Sequence, residues 1–182
     1  MVETRSPDET KRLAVSLAPV LVPGDMVVLS GDLGAGKTTF VQGLAVGLGI
    51  TERVTSPTFI LMKEYLGGRY PLMHLDIFRL GKIQDVIDLG YDEFLDPSYI
   101  VAIEWGHMVE ALLPKDHLNV DLRHGGGDVR TITLTPKGQQ WQGRMETVKM
   151  LANELFSATR RADPGLITND FRFEAPNGGR NN

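Results

Sequence analysis

Residues Gly31-Asp32-Leu33-Gly34-Ala35-Gly36-Lys37-Thr38 match the pattern G-x-x-x-x-G-K-[ST] at every specified position. The apolar run Met26-Val27-Val28-Leu29-Ser30 stands immediately before it and reads as a buried parallel strand. Phe40, Val41, Leu44, Ala45 and Leu48 follow at helical spacing across Thr38 to Leu48. Strand, glycine loop and helix form the context in which such a loop cradles phosphates. The expected fold is therefore α/β of the P-loop nucleotide-binding kind. Its central sheet should be mixed and mostly parallel, with antiparallel hairpins and flanking helices.

The residue types explain the chemistry. Gly31, Gly34 and Gly36 let the backbone turn sharply and bring its N–H groups close to an anion. The helix start adds about half an elementary positive charge. Lys37 reaches the outer phosphates as a point charge, and the Thr38 hydroxyl is placed for a magnesium ion. Gly34, Ala35, Gly36, Lys37 and Thr38 are thus candidate nucleotide contacts. A plain glycine turn would leave Lys37 and Thr38 unexplained.

A second signal is Tyr99-Ile100-Val101-Ala102-Ile103-Glu104, an apolar strand ending in one carboxylate. At the carboxyl edge of a sheet, Glu104 would share the rim with the loop and help hold magnesium. The alternative is an acid that begins a surface loop. Trp105 follows, either shielding the site, anchoring a partner or filling a core.

Composition sets bounds. The 182 residues suffice for one domain with a core and a tail. Net charge is −4, which argues against a protein that grips RNA alone. There is no cysteine, so disulfides and thiolate metal sites are excluded. No apolar run approaches the roughly 20 residues of a membrane helix. The N-terminus shows no signal-peptide pattern, and a cytoplasmic location is expected.

Ser6-Pro7-Asp8-Glu9 reads as a helix start, with the helix running to about Val22 and broken or kinked at Pro19. Thr10 on that helix lies beside a bound base or is solvated. Phe59 to Tyr65 and Tyr70 to Phe78, joined by Gly67-Gly68, form an antiparallel pair. His74, Asp76 and Phe78 share one face of the returning strand, a solvated surface or part of a site. Asp88 to Asp96 suggests a short acidic helix. Gly106 to Leu113 reads as another short helix, closed by Pro114. His117 to Arg123 and Arg130 to Thr135 form a second hairpin. Arg123, His124 and Arg130 lie near a nucleotide or are ordinary exposed cations. Lys137 to Phe156 closes the fold as an amphipathic helix on Met145, Val148, Leu151, Ala152 and Leu155. The expected ATPase domain spans residues 1–156, and residues 157–182 read as a flexible tail.

No Asn-Lys pair occurs anywhere, so the guanine-reading motif N-K-x-D is absent and ATP is favoured over GTP. A small-molecule kinase would fit the length. It would need an arginine-rich lid, which the folded part lacks. A nucleotide-dependent binding module without catalysis is the other alternative.

The loop with Thr39, Thr55-Ser56-Pro57-Thr58-Phe59, His74-Leu75-Asp76-Ile77-Phe78-Arg79 and Glu104-Trp105 occur in the order and spacing of the bacterial TsaE (YjeE) family, which the chain resembles. Leu89 to Phe94 resembles that family's short acidic helix. The resemblance covers Ser6 to Phe156. It implies a small ATPase that binds ATP and magnesium and works with TsaB and TsaD; with no arginine finger evident in the folded part, turnover by the chain alone is expected to be slow and partner-stimulated. Their product is threonylcarbamoyladenosine beside the tRNA anticodon, so tRNA is met indirectly, through the complex. Hydrolysis is implied to drive assembly or resetting of that complex. The resemblance also implies that Lys37, Thr38 and Thr39 hold phosphates and magnesium and that Thr58 acts as a switch-loop threonine. Asp76 is implied to lie near the metal or attacking water, and Glu104 to hold the metal. Thr10 and Arg130 complete the candidate nucleotide contacts. Phe78 stands where the family usually has Tyr, and Gly106-His107 is atypical.

Overall fold

The computed structural model describes residues 1–80, 83–88 and 96–162. In chain order its elements are β1 (Val2–Thr4), α1 (Pro7–Leu17), β2 (Met26–Ser30), α2 (Lys37–Gly47), β3 (Met62–Tyr65), β4 (Leu72–Asp76), α3 (Ile83–Asp88), β5 (Ile100–Glu104), β6 (His117–Gly126), β7 (Val129–Lys137) and α4 (Gly138–Ala162).

Seven strands form one sheet in the order β1-β7-β6-β2-β5-β4-β3. The central strands β6, β2, β5 and β4 run parallel. The outer pairings β1–β7, β6–β7 and β3–β4 are antiparallel. The sheet is mixed as expected, but with three pairings of each kind "mostly parallel" describes only its centre. The short turns at Gly67-Gly68 and Gly127-Asp128 permit only antiparallel neighbours. β1 was not anticipated, because three residues carry no periodic signal.

Ser6 caps α1 by accepting the Glu9 N–H at 3.2 Å. The Glu9 carboxylate reaches back to the Arg5 N–H at 2.7 Å, one residue earlier than in a standard capping box. α1 stops at Leu17, short of the expected Val22, and Pro19 lies in a single 3-10 turn, Ala18–Val20. α1 and α2 pack closely because Gly43 has no side chain. A Cβ there would sit 2.3 Å from the Lys11 carbonyl oxygen.

Two apolar cores sandwich the sheet. Val27, Leu29, Ile100, Ala102, Leu118 and Val120 face α1, α2 and α4, meeting Leu13, Phe40, Leu44 and Val148. Met26, Val28, Met73 and Ile103 face the other way, against Val86 and Val109. α4 also buries Trp141 and Phe156, while Leu151 and Leu155 are only half-buried. It continues to Ala162, past the expected end at Phe156.

Other boundaries differ from expectation. β3 begins at Met62 rather than Phe59, because Pro57 starts a turn whose carbonyl accepts the Ile60 N–H at 2.9 Å. β4 spans Leu72–Asp76 rather than Tyr70 to Phe78. The short helix expected at Gly106 to Leu113 is present as a 3-10 helix, Gly106–Leu112, with Val109 outside helical φ/ψ. Most of the expected acidic helix, at 89–95, and the tail beyond 162 lie outside the described residues. No helix among the described residues is long and apolar enough to cross a membrane.

The parallel register decides where chemistry can occur. Leu29 pairs with Glu104, and Asp76 pairs with Glu104 from the other side. The carboxyl ends of β2, β5 and β4 therefore form one rim beside the glycine loop.

Candidate functional site

The loop from Gly31 to Gly36 is shaped by close backbone approach. Gly31 has φ +135°, and a Cβ there would lie 2.2 Å from the Leu122 carbonyl oxygen on β6. Gly36, at φ +102°, is the N-cap of α2. Lys37 opens that helix and is 5% exposed. Its ammonium donates to the carbonyls of Gly31 at 2.7 Å and Asp32 at 2.9 Å. It also lies 3.8 Å from the Trp105 ring centroid. Burial pushes the Lys37 pKa down, and the charges of Glu104, Asp76 and Asp32 pull it partly back. Trp105 holds this place from a left-handed backbone, φ +65°, unusual for so bulky a residue.

Thr38 donates its hydroxyl to Glu104 Oε1 at 2.8 Å. The same oxygen meets His74 Nε2 at 2.9 Å. Glu104 and Asp76 are each 3% exposed and His74 is 0%. The solvated-surface alternative for His74 and Asp76 is therefore overturned, as is a loop-surface Glu104. Asp76 Oδ2 accepts from Ser56 Oγ at 2.8 Å and Thr58 Oγ1 at 2.5 Å, and Oδ1 accepts the Phe78 N–H at 3.1 Å. Asp76 thus ties the polar 55–58 loop to the end of β4.

Lys37, Thr38, Glu104, Asp76, Ser56 and Thr58 line a cavity of about 380 Å³, with His74 outside its wall. Of the residues expected from sequence, Gly34, Gly36, Lys37, Thr38, Thr39, Thr58, Asp76 and Glu104 lie in its wall. Ala35 does not: its methyl is buried in the core. Thr10 and Arg130 line a separate cavity of about 60 Å³ behind the loop, with Gly34, Gly36 and Thr39. Thr10 is not solvated. It is 1% exposed, meets Thr4 Oγ1 at 2.8 Å and donates to the Ser6 carbonyl at 3.3 Å. Arg130 spends its donors on carbonyls of Ala35 (3.1 Å), Gly34 (3.2 Å), Gly127 (2.7 Å) and Val129 (2.8 Å). It clamps the loop to the β6–β7 turn.

The sequence did not single out Ser56 or Leu33 as site residues, and it left His74 open between a solvated surface and part of a site. A hydroxyl in a turn and an apolar loop residue carry no signal of their own. His74 carried one: a histidine two residues from Asp76 on one strand face.

The donor set fits magnesium carried by a nucleotide. A hydroxyl and a carboxylate are hard oxygen donors, and magnesium ordinarily adds phosphate oxygens and water to one or two such groups. Among the described residues no three His, Asp or Glu side chains cluster into a cage for an ion held by protein alone. The glycine backbone, with Lys37 beside it, fits phosphates.

Comparison with known proteins gives consistent results. Residues 4–132 match the family model described as "Threonylcarbamoyl adenosine biosynthesis protein TsaE". The chain is 44% identical to the tRNA threonylcarbamoyladenosine biosynthesis protein TsaE of Bacillus subtilis, over 76% of this chain and 87% of that protein. It is 42% identical to the Treponema pallidum protein of the same name, over 72% of this chain and 96% of the other. The crystal structure of Bacillus subtilis YdiB superposes with a TM-score of 0.68 at 39% identity, covering 87% of this chain and 94% of that one. With the glycine loop, Glu104 and Asp76 meeting on one rim, the chain belongs to the TsaE family.

Proposed function

We propose that this protein binds ATP with magnesium in the loop cavity and hydrolyses it slowly. The hydrolysis serves threonylcarbamoyladenosine modification of tRNA next to the anticodon. The protein acts with TsaB and TsaD, driving assembly or resetting of their complex, in the cytoplasm. The observation that carries the reading is the 2.8 Å bond between Thr38 and Glu104, beside Lys37 at the wall of one cavity. Its volume, about 380 Å³, lies within the range of ligand sites.

In this reading Lys37 and the loop N–H groups hold the phosphates. Thr38 and Glu104 hold magnesium, which when bound neutralises charge developing on the phosphates. Asp76 keeps Thr58 and Ser56 at the cavity wall and stands where a water can be oriented. Arg130 holds the loop from behind, and Thr10 borders the small cavity beside it.

Slow turnover follows from what the cavity lacks. Among the described residues, Lys37 is its only cationic lining residue, and no arginine lines it. A partner supplying a positive group would complete the charge balance. Leu33 is 76% exposed and Phe78 46%, and both line the mouth, while Phe59 nearby in sequence to Thr58 is 82% exposed. Exposed apolar groups at a catalytic mouth suit a docking protein.

The test is ATP turnover by the purified protein alone and with TsaB and TsaD, alongside the yield of modified tRNA. Turnover well under about 1 per second alone, rising with the partner pair and coupled to modified tRNA, is expected. A rate of about 1–100 per second without partners would reject the partner-completed site. Phosphorylation of a small acceptor without partners would favour an independent kinase.

A further inference from the structure

His74 is fully buried, and the reading above gives it no task. It stands on β4 directly across from Ala102 in parallel register, with Asp76 across from Glu104. His74 and Asp76 share one strand face, as do Ala102 and Glu104. The methyl of Ala102 leaves room for the imidazole to lean along the strands toward Glu104. There Nε2 meets Oε1 at 2.9 Å, the same oxygen that accepts the Thr38 hydroxyl at 2.8 Å. Tyr65 packs nearby, its ring centroid 6.4 Å from that of His74.

The ring proton is assigned from the contacts. Glu104 Oε1 already accepts the Thr38 hydroxyl and accepts again here, so Nε2 is the donor. Nδ1 is buried with no partner among the described residues. With the proton on Nε2, Nδ1 carries a lone pair.

We propose that His74 is a positioning residue for Glu104. Its Nε2–H and the Thr38 hydroxyl pin one carboxylate oxygen and so set the rotation of Glu104 at the cavity wall. The group that meets magnesium is thereby oriented before nucleotide arrives. This rests on the reading of Glu104 as a magnesium contact. A neighbour that orients a metal-binding group typically changes metal affinity by about 10- to 100-fold.

The test compares His74→Leu, His74→Gln and Glu104→Gln in the full chain. Binding of a non-hydrolysable ATP analogue is measured by calorimetry in chelator and across a magnesium series. Leucine removes the donor, while glutamine can return an N–H to the same region. The expected result is unchanged metal-free affinity for both His74 variants. The magnesium midpoint should rise about tenfold or more in His74→Leu and recover in His74→Gln. A His74→Leu midpoint equal to wild type, or a His74→Gln midpoint as poor as that of leucine, overturns the proposal. A Glu104→Gln midpoint equal to wild type rejects the magnesium reading itself. Should the variants fold poorly, imidazole ¹⁵N shifts of the wild-type protein decide. The Nε2–H tautomer is expected, and the Nδ1–H tautomer overturns the assignment.

Discussion

Thr38 and Glu104, 66 residues apart in the chain, are joined by a hydrogen bond of 2.8 Å between Oγ1 and Oε1. One lies in the first turn of α2, after the glycine loop, and the other ends the parallel strand β5. The register of β2 against β5 brings them together. Glu104→Gln keeps the size and one acceptor but removes the charge. Magnesium-dependent ATP hydrolysis should fall about 10- to 100-fold. Nucleotide binding in chelator should change little. Steady-state turnover beside calorimetry separates the two, and equal turnover in mutant and wild type would remove Glu104 from the metal role.

Lys37 is a charge held in the protein at some cost, since burial disfavours its ammonium. Lys37→Met keeps the chain length and apolar contact with Trp105. ATP affinity should fall by about 1.5–3 kcal/mol, the worth of a hydrogen bond to a charged group. Stability should stay within about 1 kcal/mol, because the lost carbonyl contacts are offset by the relieved desolvation. Calorimetric binding and a thermal melt on the same sample check both halves. Unchanged ATP affinity would reject the phosphate role.

Gly31 has no room for a side chain. Alanine there meets the Leu122 carbonyl and a backbone at φ +135°. Gly31→Ala should cost at least about 1–3 kcal/mol and weaken ATP binding, because the loop must move away from β6. Gly127, at φ +53° with nothing within 4 Å, is the control. Gly127→Ala should cost about 1 kcal/mol or less and leave ATP binding unchanged. Denaturant melts and ATP titrations of the pair make the comparison.

Asp25, at the entry to β2, is tied to Arg144 of α4 by contacts of 2.8 and 2.6 Å. Burial raises the Asp25 pKa above 3.8, against the lowering effects of the Val22 N–H and the Arg144 guanidinium. The native state therefore binds more protons than the unfolded chain between 3.8 and that raised value, and this group's contribution improves as pH falls through it. Arg144→Met leaves a buried carboxylate unpaired and raises its pKa further. Stability at neutral pH should drop by about 2–4 kcal/mol, somewhat below the range for fully buried pairs. The deficit should shrink toward acid pH as Asp25 is protonated, and Asp25→Asn added to Arg144→Met should recover part of it. Urea melts from pH 7 to pH 4 test this; a deficit independent of pH would refute it.

Much of the fold was legible because its signals are local. The cap at Ser6, the apolar run before Gly31, the helical spacing after Lys37 and the glycine turns of both hairpins each depend on a few adjacent residues. Boundaries were less legible at Pro19 and Pro57, where a turn competes with a continuing element. The sequence left Thr10 open between a bound base and solvent; the solvated alternative falls because Thr10 is buried against Thr4, in a strand too short to foresee.

The sequence by itself determined the glycine loop between strand and helix and the strand ending in Glu104, since both are written in contiguous residues. It also carried the family resemblance, through motifs in fixed order. Only the tertiary structure decided that His74 and Thr38 share one oxygen of Glu104. It also decided that Asp76 holds the 55–58 loop, that Lys37 rests on Trp105, and that Arg130 grips the loop from behind. The reason is register. Period-two alternation says which residues share a face, but only hydrogen-bonded pairing of β4, β5 and β2 says which face meets which neighbour, and at what distance.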